Sequence, residues 1–274
     1  MHKKRWLIVC MLVLVLFVAV GTFAYLLSER TTAFHLACNT NMPSNSGSLT
    51  ACPKKLLVFS KTGAFRHASI KDAIAALRKL AAQHNVAADF TEDASVFTDE
   101  NLRQYSAVVF LLTSGHILDD NEKAAFERYI EAGGGYVGVH SASDTEYDWA
   151  WYGKLVGAYF DRIHGHSHVT QATINVIDRA HLSTVMLPPK WVRTDEWYNF
   201  ATNPSGSVHV LMTIDETTYK GGVMGANHPI AWYHQFDGGR AWYTALGHTS
   251  ESYSEPLFLA HLWGGIEYAA GLSE

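Results

Sequence analysis

Four histidines stand shortly after apolar stretches typical of buried strands, and they come from four distant parts of the chain. They are His67, His116, His140 and His248. In an open parallel sheet, ligands bind beyond the carboxyl ends of the strands, so these side chains are expected to converge at one edge. Imidazole transfers protons near neutral pH and is a common metal ligand. The pattern therefore predicts a functional site at that edge.

His140 is the central candidate. It ends an apolar stretch and precedes Ser141-Ala142, which is the shape of a nucleophile elbow, where a strained turn lifts one side chain above the sheet. The chain has no cysteine after Cys52, and this excludes a thiol nucleophile in the domain. Ser141 lies beside the apex and lacks the G-x-S-x-G pattern, so a hydrolase using this serine is the weaker alternative.

A carboxylate for the same site is predicted at Glu196. His140, Glu196 and His248 are the candidate catalytic residues, acting as acid and base groups. Several histidines with one carboxylate also suit Zn²⁺ or a similar divalent metal, for which His140, His228 and Glu196 are the candidate ligands. The sequence has no compact metal motif such as H-E-x-x-H, so both interpretations stay open.

Composition favours a polar small molecule as the ligand. The 274-residue chain has a formal charge of −5 and no long basic run past residue 5, which excludes a basic nucleic-acid-binding face. Tryptophan, tyrosine and histidine are frequent, and aromatic rings either stack on the apolar faces of sugars or fill the core. The predicted substrate-binding residues are Arg66, His67, His116, Asp195, Trp197, Tyr198 and Trp232.

Residues 1–28 are predicted to be a transmembrane anchor. A basic start precedes an uncharged apolar run that is long enough to cross a bilayer, which needs about 20 residues. A cleaved signal segment is the alternative, and both place the domain outside the cytoplasm. Residues 29–53 are predicted to be a linker, in which Cys38 and Cys52 could form a disulfide in an oxidising compartment.

Residues 54–274 are predicted to form one α/β domain. Strand-length apolar runs alternate with helical segments through the first half, and this order implies a parallel sheet with helices on both faces. The second half is richer in strands. We therefore expect a three-layer α/β/α sandwich with a mostly parallel sheet. The predicted strands are 55–60, 86–91, 107–112, 136–140, 170–176, 208–214, 230–235 and 241–246, and the predicted helices are 69–84, 98–104, 119–132 and 256–268.

Five motifs occur in one order along the chain. They are Val58–His67, Gly133–Ala142, Asp195–Tyr198, His228–Trp232 and Gly247-His248. Together they resemble the ThuA-like trehalose-utilisation family, over about residues 54–271. The resemblance implies a class I glutamine-amidotransferase-like, flavodoxin-like sandwich with histidine in place of the elbow cysteine. It also implies a link to carbohydrate use, with oxidised (3-keto) disaccharides as the proposed substrate class.

The segment 164–168 reads His-Gly-His-Ser-His, whereas the family resemblance implies a His-Pro step here. Either His164 or His166 could correspond to the family's histidine. From the residues alone, the neighbouring glycine and serine favour an exposed polar loop over a metal site. His181 is followed by leucine instead of the implied proline.

The leading hypothesis is an enzyme that acts on a sugar or keto-sugar derivative. It would be a lyase, hydrolase or isomerase, and the missing cysteine excludes a glutamine amidotransferase. The alternative is a non-catalytic extracellular carbohydrate-binding module. The expected partners are a small carbohydrate and, through the N-terminal helix, a membrane. Nothing in the sequence specifies an oligomeric state.

Overall fold

The computed structural model describes residues 54–272. The predicted anchor at 1–28 and the linker at 29–53, with the Cys38–Cys52 pair, lie outside the described residues. Within 54–272, no helix combines the length and the apolar character needed to cross a membrane.

The described chain forms a single mixed α/β unit with a nine-stranded sheet. The strands are β1 Lys55–Phe59, β2 Ala87–Thr91, β3 Ala107–Leu111, β4 Gly135–Val139, β5 Thr170–Val176, β6 Lys190–Asp195, β7 His209–Asp215, β8 Pro229–Phe236 and β9 Gly239–Thr244. The α-helices are α1 Ile70–Gln83, α2 Asp99–Leu102, α3 Asp120–Glu131, α4 Ala150–Val156 and α5 Pro256–Ala270.

The sheet is mixed, which corrects the prediction of a mostly parallel sheet. The strand order is β2-β1-β3-β4-β9-β8-β7-β5-β6. The pairings from β2 to β9 are parallel, and those from β9 to β6 are antiparallel. Parallel neighbours need long crossovers, which the helices of the first half provide, whereas antiparallel neighbours can be joined by short turns. The grouping of the helices into three layers stays a prediction.

The turn between β8 and β9 shows how the second half reverses direction. Asp237 and Gly238 both have positive φ, 50° and 97°. Positive φ at both central residues defines the type I′ turn that favours Asp-Gly in two-residue hairpins. This turn reverses the chain, so that β9 returns antiparallel to β8 and parallel to β4.

The strand β6 and the helix α4 were not predicted. Buried and exposed residues alternate along β6, but two of its buried positions are charged, Arg193 and Asp195. Their side chains pair with each other across 3.3 Å. Because charged residues occupy inward positions, the segment lacks the alternation of apolar and polar residues that predicts a strand.

The helix α5 closes the fold against β9, β4 and β3. Its contact with β4 is close enough that a Cβ at Gly135 would lie 2.2 Å from the Ala269 carbonyl oxygen. His261 lies inside this interface and is fully buried. Its Nδ1 is 2.8 Å from the Ser183 carbonyl oxygen and its Nε2 is 3.1 Å from Thr244 Oγ1. Burial lowers the pKa of His261 to about 3.

Acidification is expected to destabilise the fold through His261. An unfolded histidine titrates near pH 6.5, so below that pH the unfolded chain binds a proton that the folded chain refuses. Stability then rises with pH, and this group removes about 2 kcal/mol of unfolding free energy between pH 7 and pH 5. Urea unfolding of wild type and His261→Gln at both pH values should show a smaller pH effect in the variant. The control is His209→Gln at an exposed position, and an unchanged pH effect in His261→Gln would refute the assignment.

Candidate metal and carbohydrate site

Four predicted site residues meet at the carboxyl edge of the parallel strands. His67 follows β1, His140 follows β4, and His248 follows β9. Glu196 follows β6, from the antiparallel half. One ligand atom from each lies within 4.8 Å of those of the other three. We call this set, His67, His140, Glu196 and His248, the four-residue cluster.

His140 takes a strained conformation at the end of β4. Its φ is +52°, a value that non-glycine residues rarely adopt and that recurs at functional sites. Its Nδ1 lies 2.7 Å from the Ala245 carbonyl oxygen, and its own carbonyl accepts a hydrogen bond from the Tyr243 hydroxyl. A carbonyl only accepts, so Nδ1 carries the proton. In the neutral ring, Nε2 then presents its lone pair to the cluster.

Three atoms of the cluster form a compact triangle. His140 Nε2 is 3.4 Å from Glu196 Oε2, and His248 Nδ1 is 3.1 Å from the same oxygen. The two ring nitrogens are 3.3 Å apart. Ligands bound tetrahedrally to Zn²⁺ at about 2.0–2.1 Å would be separated by about 3.3–3.4 Å. The triangle therefore has the size of one face of a zinc site.

The electrostatics of the cluster favour a cation. Burial of the Glu196 carboxyl raises its pKa, but the neighbouring imidazoles of His140, His166 and His248 outweigh burial and hold that pKa well below its usual value. Burial, followed by the neighbouring imidazoles of His140 and His248, lowers the pKa of His67 to about 2. An ionised carboxylate beside a neutral imidazole is a donor set for a divalent metal.

His166 joins this site, although the sequence favoured an exposed loop for its segment. Its Nδ1 lies 2.9 Å from Glu196 Oε1, and its ring is about half exposed. His164 instead pairs with Asp161 across 2.6 Å within the loop. The family resemblance had left both histidines open, and only the pairing of the loop with the Glu196 segment distinguishes them.

Asp195 was predicted to bind substrate, but it is fully buried. Its carboxylate accepts backbone N–H bonds from Glu196, Gly247 and His248, at 3.0, 2.9 and 3.1 Å. Arg193 lies 3.3 Å away and is buried too. Asp195 therefore positions the backbone of two cluster residues and does not face a ligand.

The predicted aromatic walls of the pocket belong to the core. Trp197 and Trp232 have no exposed surface, and their indole N–H groups donate to the carbonyls of Thr170 and Val156. Tyr198 is also buried, with its ring centroid 4.3 Å from that of His140. An indole ring removes more apolar surface from water in the core than it would in contact with a solvated ligand. Burial therefore explains the positions of these rings.

His228, a predicted metal ligand, lies outside the cluster. Its Nδ1 is 2.8 Å from Glu216 Oε1, and its Nε2 is 2.8 Å from the Tyr198 carbonyl oxygen. Both ring nitrogens are therefore occupied by protein acceptors. His228 links the side chain of Glu216 to the backbone of Tyr198, and so supports the segment that carries Glu196.

Arg66 and His116 lie on loops near this edge, but neither joins the cluster. Arg66 forms an exposed ion pair with Glu92 at 2.6 Å. His116 is two-thirds exposed, and its Nδ1 is 3.5 Å from Glu146 Oε2. The Ser141 hydroxyl is buried, 3.4 Å from His67 Nδ1.

The family model of ThuA, described as trehalose utilisation, matches residues 55–269. The chain therefore belongs to the ThuA family, which confirms the predicted resemblance. No curated protein matches it.

Two solved structures share the fold. A ThuA-like protein from Bacteroides uniformis ATCC 8492 is 24% identical, with a TM-score of 0.68, over 84% of this chain and 95% of that one. A ThuA-like protein from Parabacteroides merdae ATCC 43184 is 20% identical, with a TM-score of 0.65, over 80% and 91%.

Asp195→Asn should damage both stability and the cluster. The amide cannot accept all three backbone bonds while balancing the buried Arg193 charge, so we expect a loss of about 3 kcal/mol in unfolding free energy. Zn²⁺ affinity should fall by about 10- to 100-fold, as for other outer-shell changes. Denaturant unfolding and calorimetric Zn²⁺ titration measure the two effects. Asp120→Asn, at an exposed position of α3, is the control, and wild-type behaviour of Asp195→Asn would contradict the positioning role.

Proposed function

We propose that this protein is a carbohydrate-processing enzyme that acts on a sugar or keto-sugar derivative at the four-residue cluster. Membership of the ThuA family suggests a role in trehalose utilisation or carbohydrate metabolism. The observation that carries the proposal is the triangle of His140, Glu196 and His248 atoms, separated by 3.1–3.4 Å at the carboxyl edge of the sheet. Titratable groups gathered in this way mark a functional site.

The residues present fit a divalent metal, and we infer Zn²⁺. His140, Glu196 and His248 would hold it through two nitrogens and one carboxylate oxygen, a donor set that catalytic zinc sites use. When bound, such an ion polarises a sugar carbonyl or lowers the pKa of a bound water. The Ala245 carbonyl would orient His140, as second-shell acceptors do for ligating histidines.

Three further side chains in or beside the cluster have separate roles in this proposal. His166 occupies Oε1 of Glu196, which leaves Oε2 turned toward His140 and His248. Tyr198 covers the face of His140 and shields it from water. His67, the fourth member of the cluster, offers a neutral imidazole for a hydrogen bond to a sugar hydroxyl or carbonyl. These roles suit a lyase, hydrolase or isomerase of 3-keto glycosides.

The setting of the enzyme rests on the sequence alone. We propose that the apolar run within residues 1–28 anchors the domain at the outer face of a membrane, or directs its secretion if it is cleaved. Cell fractionation tests this, and recovery of the protein in the cytoplasmic fraction would contradict it.

Zn²⁺ should stabilise the wild-type protein after chelator treatment. Free metal at 100 times its dissociation constant adds about 2.7 kcal/mol to the free energy of unfolding. The variants His140→Ala and Glu196→Gln should lose most of this gain, whereas His67→Ala should keep more of it. Thermal melts with and without Zn²⁺ measure the gain, with the exposed His209→Ala as control. Equal gains in wild type and His140→Ala would remove His140 from the ligand set.

Turnover should depend on His140. With 3-keto-trehalose as substrate and Zn²⁺ present, we expect His140→Ala to lower kcat/KM by about 100-fold or more, because a ligand should matter at least as much as an outer-shell residue. Product formation followed by chromatography measures this, and His209→Ala should behave as wild type. Calorimetric binding of the sugar without any product would instead indicate a carbohydrate-binding module.

A further inference from the structure

Phe65 stands out among the aromatic residues of the protein. Its side chain is 63% exposed. Within residues 54–272 it is the only phenylalanine, tyrosine or tryptophan that is mainly exposed. An apolar ring left in water calls for an explanation when nearly every other ring is at least partly buried.

The ring of Phe65 lies directly beside the four-residue cluster. Its centroid is 4.8 Å from that of His67, with an angle of 82° between the two rings. His67 is only 5% exposed and is itself in ring contact with His140 and His248. Phe65 therefore stands on the solvent side of the cluster, at its rim.

The backbone around Phe65 is held in place by the neighbouring loop. The Phe65 carbonyl accepts a hydrogen bond from Ser114 Oγ at 2.6 Å, and the Gly63 N–H donates to the Ser114 carbonyl at 2.6 Å. The two loops approach so closely that a Cβ at Gly63 would lie 2.2 Å from the His116 carbonyl oxygen. Such anchoring reduces the freedom of the ring to fold away, so a ligand would meet a preorganised apolar surface.

The aromatic side chains that the sequence predicted for this site are not available for the same role. Trp197, Tyr198 and Trp232 are buried in the core or against His140. A pyranose ring presents a flat face of C–H groups that packs on an aromatic ring, while its hydroxyls point outward to polar groups. Phe65 beside His67 offers that combination of an apolar ring and a polar nitrogen.

We propose that Phe65 is the platform on which a pyranose ring of the substrate stacks, next to His67. This inference rests on the proposed function and names the substrate class of that site as a pyranoside. Phe65 is a specificity-determining residue, because an acyclic polyol has no rigid C–H face to stack. Phe65 has the substrate-stacking role that the sequence predicted for Trp197 and Trp232.

The test compares Phe65→Ala, Phe65→Leu and Phe65→Trp with wild type. The probes are 3-keto-trehalose for steady-state kinetics, and trehalose and sorbitol for calorimetry, all with Zn²⁺ present. Loss of the ring should raise KM and weaken trehalose binding by roughly tenfold in the Ala and Leu variants, while Trp restores both. The value of kcat should change less than about threefold, which separates stacking from a role in chemistry.

The control is Ile177→Ala, an equally exposed apolar residue just after β5, at the opposite edge of the sheet. It should leave KM and trehalose binding unchanged. Zn²⁺ affinity measured on every variant shows that the cluster is intact.

Three outcomes would overturn the platform. The first is a wild-type KM in Phe65→Ala, with turnover still dependent on His140, which would leave the proposed function standing. The second is an equal loss in Phe65→Trp and Phe65→Ala, which would indicate a structural effect. The third is that the wild-type protein binds neither 3-keto-trehalose nor trehalose, which would overturn the proposed function as well.

Discussion

The parallel pairing of β9 with β4 joins the two halves of the sheet and determines where the site forms. Val139 lies opposite Thr244 at the carboxyl end of this pairing. The next residues on each strand are His140 and Ala245, and the Ala245 carbonyl binds His140 Nδ1 at 2.7 Å. One backbone pairing thus sets both the orientation of the central imidazole and the path of the chain to His248. A β9 antiparallel to β4 would carry His248 to the opposite edge.

Two adjacent carboxylates, Asp195 and Glu196, stabilise the site in different ways. Asp195 faces inward, where backbone N–H groups and Arg193 compensate its burial. Glu196 faces the imidazoles and stays ionised beside them. Neighbouring residues of a strand point to opposite sides, so a single strand end can supply both a structural support and a member of the cluster. A buried charge is stable only when it is paired in this way.

The aromatic content of the chain has two separate uses. The tryptophans near the site fill the core, because burial of their large apolar surface stabilises the fold more than contact with a solvated ligand would. Among the phenylalanines of residues 54–272, only Phe65 is mainly exposed, and it lies beside the polar cluster. Composition cannot distinguish these uses, since exposure depends on which elements pack over each ring.

Local sequence determined much of the first half of the fold and located the four residues of the cluster. Apolar runs located β1, β3 and β4, and the residues after the predicted strands identified His67, His140 and His248. Glu196 was instead identified from its motif of carboxylates and aromatic residues, without a predicted strand. The five motifs in their order along the chain also identified the ThuA family. Short-range patterns succeed here because a buried parallel strand is uniformly apolar and its carboxyl end is where ligands bind.

Tertiary structure alone decided the direction of the later strands, the choice of His166 over His164, and the exclusion of His228 from the cluster. A strand has the same period in either direction, so its orientation depends on partners far away in sequence. A histidine likewise joins the cluster or supports it from outside, according to which groups pack against its two nitrogens. Both nitrogens of His228 meet acceptors outside the cluster, at Glu216 and the Tyr198 carbonyl, whereas Nε2 of His140 faces Glu196 and His248.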